Sequence, residues 1–324
     1  MKLLEVNNLR TYFKTSKGIS KAVDGVSFDL DYGECLGLVG ESGCGKTTTA
    51  LSICQLLPKE GYIDGGEVLL EGINYAEMSE KEIQKHRWED VSIIFQGAMN
   101  AFNPVKKVGW QIAEACILHD GMTKDEAWKR AGDLFEMVGI ARERVTQYPH
   151  EFSGGMKQRA MIAMALACNP KLIIGDEPTT ALDVMIQAQI LELLEKLRKE
   201  LNMGLILITH DLSILSETCD KIAVMYAGRI MEIGTVDDIF NHPAHPYTKR
   251  LLACFPNINS EKREIPDGIP GYPPNLLDPP QGCRFCPRCD CAVEACKTQI
   301  PEYIQVGEKH FVSCHLKGGE LNDR

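Results

Sequence analysis

The chain has 324 residues, 44% of them hydrophobic and 25% charged, a balance that supports a packed core and excludes a disordered class. Its formal net charge of -10 argues against a nucleic-acid partner, which requires a basic stripe to neutralise phosphates. The length fits one large domain plus an appendage.

The opening stretch MKLLEVNNLR has no apolar run of signal-peptide length, because Glu5 and two asparagines interrupt it, so no export is expected. No window approaches the roughly 18 uncharged apolar residues of a membrane span. The 13 cysteines are therefore expected in a reducing compartment, where thiols favour metal or cluster ligation over disulfides. Further along, VSFDL (Val26 to Leu30) alternates like a strand, and the apolar run CLGLVG ends in a glycine loop. That order predicts strand, loop, helix.

The loop itself, GESGCGKTT (Gly40 to Thr48), fits the pattern G-x-x-x-x-G-K-[ST] of a phosphate-binding loop. Glycines let successive backbone N–H groups turn toward one anion, and the following helix N-terminus adds partial positive charge. Lys46 can reach the β and γ phosphates, and the Thr47 hydroxyl can ligate Mg²⁺. Cys44, at a variable position of the loop, is a candidate for oxidation.

From about Gly97 to Ala167 the pattern turns helical. Thr123 and Glu126 form a capping box, and Ala127, Ala131, Leu134 and Val138 line one face. KLIIGDEP (Lys171 to Pro178) is an apolar run tipped by two carboxylates, as expected of a buried parallel strand opening into a site. Asp176 suits a metal ligand and Glu177 a group orienting the attacking water; the plainer alternative is an acidic N-cap. A helix follows with Ile186, Ile190, Leu193, Leu197 and Leu201 at helical spacing, and GLILITHD supplies another buried strand. The alternation indicates an α/β fold around a mostly parallel sheet. After about Phe255 proline, glycine and cysteine dominate, which places a boundary between domains 1–255 and 256–324.

Together these motifs resemble the ATP-binding subunits of ABC transporters. The resemblance rests on the phosphate loop, on FSGGMKQRA (Phe152 to Ala160), which resembles the signature LSGGQ, and on the Asp-Glu strand, ALD (Ala181 to Asp183) and THD (Thr209 to Asp211). It implies a P-loop NTPase core of the ABC ATPase type with a helical subdomain at about 97–167 and a small Cys/Pro-rich C-terminal domain. It also implies that Gly40, Ser42, Gly43, Cys44, Gly45, Lys46, Thr47 and Thr48 hold ATP, with Phe13, or failing it Tyr12, stacked on adenine. Ser153, Gly154 and Gly155 would start a helix aimed at the γ phosphate bound by a second subunit, with Asp183 nearby in a head-to-tail dimer. Gln96 in IIFQG would touch Mg²⁺ or water and report to membrane subunits, and His210 would contact the γ phosphate beside the catalytic Glu177. Met156 stands where the family commonly has Gln, which leaves the Ser-Gly-Gly donors intact.

GCRFCPRCDCAVEAC (Gly282 to Cys296) places five cysteines in 15 residues, and Cys314 follows. By chemistry alone, four thiolates suit tetrahedral Zn²⁺ or an iron-sulfur cubane, and the spacings Cys283/Cys286 and Cys286/Cys289 look zinc-like. With HPYTKRLLACFP (His245 to Pro256), the segment resembles the C-terminal extension of the dipeptide and oligopeptide branch. There, cysteines at the positions of Cys283, Cys289, Cys296 and Cys314 hold a [4Fe-4S] cluster; Cys286 and Cys291 lie outside the pattern. A proline-rich tail buries little core and needs such a staple. Cys35, Cys54 and Cys168 read as small core residues.

The reading that leads is an ATPase powering di/oligopeptide import from the cytoplasmic membrane face. Its expected partners are two permeases, a second ATPase of different sequence and, indirectly, an extracytoplasmic solute-binding protein. Nickel or short oligosaccharides are the alternative cargoes. A soluble ABC ATPase acting on DNA or ribosomes is disfavoured by the acidic charge, and an iron-sulfur redox protein is the third reading.

Overall fold

The structure, a computed structural model, describes residues 2–97, 101–180, 182–254 and 268–316. The boundary expected near Phe255, with Pro256 and Pro266, and Ala181 of the ALD motif lie outside the described residues. In chain order the elements are β1 (Lys2–Thr15), β2 (Gly18–Asp31), β3 (Cys35–Val39), α1 (Lys46–Ile53), β4 (Gly61–Leu70), β5 (Ile73–Asn74), α2 (Glu80–Ile83) and β6 (Val91–Ile94). They continue with α3 (Val108–His119), α4 (Lys124–Met137), α5 (Gly154–Ala165), β7 (Leu172–Asp176), α6 (Val184–Leu201), β8 (Gly204–Ile208) and α7 (Leu212–Thr218). The last are β9 (Lys221–Tyr226), β10 (Arg229–Thr235), α8 (Val236–Asn241), α9 (Pro246–Ala253), α10 (Ala295–Thr298), β11 (Tyr303–Gln305) and β12 (Phe311–Ser313).

The chain divides into two compact units. The first comprises Met1–Leu4, Asp29–Cys35 and Leu70–Ile208. Within it β6, β7 and β8 run parallel with β7 in the middle, Ile94 opposite Gly175 and Asp176 opposite Ile208. Every residue of β7 and β8 is buried, which is why both read as unbroken apolar runs instead of alternating ones. The helical stretch holds α3, α4 and α5. At the start of α4 the Thr123 hydroxyl donates to the Glu126 carboxylate at 2.6 Å while the Glu126 N–H donates to the Thr123 hydroxyl at 3.4 Å, the reciprocal cap expected. Ala127, Ala131, Leu134 and Val138 are fully buried on the predicted face.

Helix α6 contains all five residues predicted at helical spacing, which differ in burial. Ile190, Leu193 and Leu197 are buried, joined by Leu191 and Leu194, but Leu201 is 41% exposed. The helix stops one residue later at Asn202, whose left-handed φ of 50° turns the chain out of the helix, so its last turn leaves the buried face.

The second unit comprises Glu5–Phe28, Leu36–Leu69 and Thr209–Arg324. Here β3 and β9 are parallel, β10 turns back antiparallel to β9, and β12 adds antiparallel to β10 with β11 at the edge. The fully buried Val312 sits opposite Glu232 in that pairing, so the C-terminal segment is woven into the same unit as the phosphate loop. Cys35, Cys54 and Cys168 are buried, as expected of small core residues. Among the described residues no helix is long and apolar enough to cross a membrane.

Candidate nucleotide and cysteine sites

The phosphate loop links β3 to α1, and its geometry demands glycine at two points. Gly40 adopts φ 153°, and a Cβ there would sit 2.1 Å from the Met225 carbonyl oxygen. Gly45, at φ 110°, would press a Cβ to 2.4 Å from the Ala22 carbonyl. The backbone is therefore free to coil its amides around an anion only because those side chains are missing. The Cys44 carbonyl accepts from the Gly228 N–H at 2.9 Å, and α1 starts at Lys46 with no acidic residue in its first turn. Lys46 is buried, and its ammonium donates to the carbonyls of Gly40 at 2.6 Å and Glu41 at 3.2 Å. Ser42 and Gly43 are exposed on the loop, Thr47 is exposed in the first turn of α1, and Thr48 is half-buried.

Cys44 corrects an expectation. Its side chain is buried against Gly40, and burial pushes its thiol pKa upward, so it is a poor thiolate and a poor target for oxidation.

The two aromatic candidates separate. Tyr12 is buried, donates its hydroxyl to Asp24 at 2.8 Å and packs edge-on to Tyr62 at 6.3 Å. Phe13 is half-buried beside Gly61, where a Cβ would meet its ring at 2.8 Å. Of the two, Phe13 is the more accessible.

In the first unit, Asp176 ends β7 and is buried, while Glu177 follows with a left-handed φ of 49°. A non-glycine residue held there stores strain of about 1–2 kcal/mol, a feature that clusters at functional sites. The Glu177 N–H donates to the Ile208 carbonyl at 2.9 Å, fixing the turn. Its carboxylate accepts from the Gln96 amide at 2.6 Å and from the Thr180 hydroxyl at 3.0 Å. Gln96 and Glu177, 81 residues apart in sequence, are thus brought together. Thr180 was not singled out by the sequence reading, although its place three residues after Glu177 on a turn was a local signal.

Ser153 caps α5 by accepting from the Met156 N–H at 3.4 Å, so Gly154 and Gly155 form the helix start that the signature implies. A Cβ on Gly155 would meet Ile186 at 2.9 Å, which accounts for that glycine locally. Asp183 caps α6 by accepting from the Ile186 N–H at 3.0 Å. His210 lies exposed in the turn before α7.

The tail brings its thiols into mutual influence. The Cys283 N–H donates to the Cys296 carbonyl at 2.8 Å. Burial first, then the neighbouring Cys296 and Cys314, pushes Cys283 up to about 12; burial pushes Cys289 up to about 11, with Cys314 and Cys296 among the contributors. Cys314 is raised by burial and by Cys296 in the same way. Such thiols stay protonated unless a cation compensates their charge. Among the described residues the only three or more ligand atoms of His, Cys, Asp or Glu within 4.8 Å of one another are those of Asp29, Asp31 and Glu34, so no three of these sulfurs come that close.

A family model described as "ABC transporter" matches residues 23–180, and one described as "Oligopeptide/dipeptide transporter, C-terminal region" matches residues 231–296. The oligopeptide transport ATP-binding protein OppD of Bacillus subtilis is 50% identical over 318 residues, covering 97% of this chain and 89% of its own. The dipeptide transport ATP-binding protein DppD of the same organism is 46% identical, covering 98% of this chain and 95% of its own. Among solved structures, the ATP-binding cassette MJ0796, a dimer in a post-hydrolysis state bound to ADP and Pi, superposes with a TM-score of 0.65 at 28% identity. The match covers 72% of this chain and 98% of that one.

Proposed function

This chain belongs to the ATP-binding subunits of the oligopeptide and dipeptide branch of ABC transporters, and on that premise we propose that it hydrolyses ATP to power peptide import. The observation that carries the chemistry is the phosphate loop, whose curvature admits no Cβ at Gly40 or Gly45 and which holds Lys46 at a helix start. On ATP binding, the Lys46 ammonium exchanges its two carbonyl partners for β and γ phosphate oxygens, while loop amides and the α1 N-terminus take the remaining charge. The Thr47 hydroxyl and the Asp176 carboxylate are hard oxygen donors of the kind that hold Mg²⁺, which would neutralise developing charge on the transferring phosphoryl group.

Glu177 is the residue we assign to orienting and deprotonating the attacking water, with Gln96 and Thr180 holding its carboxylate. Phe13 stacks on adenine. The helix start at Ser153, Gly154 and Gly155 meets the γ phosphate held by a second subunit in a head-to-tail pair, with Asp183 and His210 among the nucleotide contacts; the similar MJ0796 cassette is described as a dimer. The partners are two permeases, a second ATPase of different sequence and an extracytoplasmic solute-binding protein, with this chain peripheral on the cytoplasmic face. We assign residues 1–255 of the sequence to nucleotide binding and 256–324 to a cysteine-rich extension, which belongs to the same compact unit as the phosphate loop.

Cys283, Cys289, Cys296 and Cys314 are the residues we assign to a [4Fe-4S] cluster with a structural role. Four soft thiolates suit either iron-sulfur or zinc.

Reconstitution with co-purifying permeases in vesicles tests the function. ATP-driven uptake of labelled peptide, lost on Lys46→Ala, is the expected outcome. Uptake of nickel or a short oligosaccharide instead would reassign the cargo, and ATP turnover with no co-purifying membrane protein would end the transporter reading.

A further inference from the structure

Two side chains from beyond β10, Tyr247 and Arg288, reach the phosphate loop itself. Arg288 lies on the 3-10 turn Cys286–Arg288, directly before Cys289, and is buried. Its guanidinium meets the Glu41 carboxylate with both forks, Nη1 to Oε2 at 2.6 Å and Nη2 to Oε1 at 3.1 Å. The rest of the group is fully engaged: Nη1 also donates to the Tyr226 hydroxyl at 3.1 Å, Nη2 to the Ile269 carbonyl at 2.9 Å and Nε to the Pro270 carbonyl at 2.8 Å. All five donors of the guanidinium are used, the mark of an arginine held in one orientation.

Glu41 is the second residue of the loop and is fixed at three points. Its carboxylate meets Arg288, its N–H donates to the Tyr247 hydroxyl at 3.0 Å, and its carbonyl accepts from Lys46 at 3.2 Å. Two of those anchors come from beyond β10, and Tyr226, Tyr247 and Phe285 pack together behind them with ring centroids 4.6 to 5.3 Å apart. A carboxylate in a loop built to receive a triphosphate would repel it. Arg288 cancels that charge and sets where the loop backbone lies.

We propose that Arg288 is a positioning residue for ATP, acting through Glu41, so that the cysteine turn is part of the nucleotide site and not only an appendage. This deepens the ATPase reading and rests on it. The consequence is directional. Loss of Arg288 uncovers the Glu41 charge and frees the loop, so ATP binding weakens while the chemical step, which Arg288 does not touch, is retained. Removing the uncovered charge then restores binding.

The experiment measures the Kd of a fluorescent ATP analogue and the KM and kcat of ATP hydrolysis on the full chain. Arg288→Ala is expected to raise Kd and KM about tenfold with kcat within about twofold, the size of a typical inter-site coupling. Adding Glu41→Gln to Arg288→Ala should recover most of the affinity. Arg284→Ala is the control: Arg284 also reaches out from the tail but pairs with Asp24, which keeps Arg229 and Tyr12 as partners, so ATP affinity should hold. Should Arg288→Ala not fold, Arg288→Lys decides, since it keeps the charge, loses the fork and should show a smaller rise in KM. Unchanged KM in the folded Arg288 variant, no recovery by Glu41→Gln, or an equal loss in Arg284→Ala would each overturn the proposal. A wild-type chain that binds no nucleotide would bring down the ATPase reading and the proposal together, whereas normal wild-type binding with a silent Arg288 variant would remove only the latter.

Discussion

Replacing Glu177 by Gln removes a proton acceptor while keeping side-chain volume, and replacing it by Ala or Gly separates that chemistry from the backbone. A positioned general base contributes about 10²- to 10⁴-fold to rate, or roughly 2.7–5.4 kcal/mol of barrier. Glu177→Gln is therefore expected to slow phosphate release by that factor, retain ATP and accumulate a nucleotide-bound dimer visible by size-exclusion chromatography. The backbone provides the second measurement. At φ 49° a side chain costs about 1–2 kcal/mol, and glycine's extra freedom in the unfolded chain offsets about 0.5–1 kcal/mol of the relief. Glu177→Ala and Glu177→Gly both lose the bonds to Gln96 and Thr180, so their difference isolates the turn. The Gly variant should be the more stable by about 0.5–1 kcal/mol in urea unfolding. Undiminished turnover in Glu177→Gln would refute the base, and an Ala variant as stable as the Gly variant would refute the strain argument.

Gly40→Ala, which drives a Cβ to 2.1 Å from the Met225 carbonyl, should abolish binding of the fluorescent ATP analogue and cost about 2–3 kcal/mol of stability; normal binding would contradict the loop geometry. Ser substitution at Cys283, Cys289, Cys296 or Cys314 should strip iron and acid-labile sulfide from the purified chain, while Cys286→Ser and Cys291→Ser keep both. Zinc in place of iron would reassign the site. His245 is fully buried, and burial holds its imidazole down at about 4 against the nearby Glu232, while its Nδ1 accepts from the Tyr247 N–H at 3.0 Å as the cap of α9. Because the folded value lies below an unfolded value of about 6.5, stability is full above that pH and falls by about 3 kcal/mol as pH drops toward 4. His245→Asn, which can still cap, should flatten melting temperature against pH over that window, and an unchanged slope would rule out His245 as the cause.

Much of this protein is written locally. The phosphate loop was legible because coiling a backbone around an anion requires glycine at particular steps, and Gly40 and Gly45 stand at those steps. The Thr123 cap and the buried face of α4 were legible because a helix end and a 3.6-residue period involve neighbours only. The runs that became β7 and β8 announced burial through unbroken apolar sequence. Leu201 falls in the helix its spacing predicted, but spacing carries no information on burial, and at the helix end its side chain is 41% exposed.

The rest depended on partners far apart in the chain. The Asp24 carboxylate that takes the Tyr12 hydroxyl lies 12 residues along the chain, a pairing composition did not show. Nothing near Cys44 predicted that packing would bury its thiol. The bond from Gln96 to Glu177 spans 81 residues and the pair of Arg288 with Glu41 spans 247. Sequence determines which groups exist and which local shapes their backbone allows, because torsions, caps and periodicity act over a few residues. Which arginine neutralises which carboxylate is decided only when strands and tail close around a common core, because that energy exists only at contact distance.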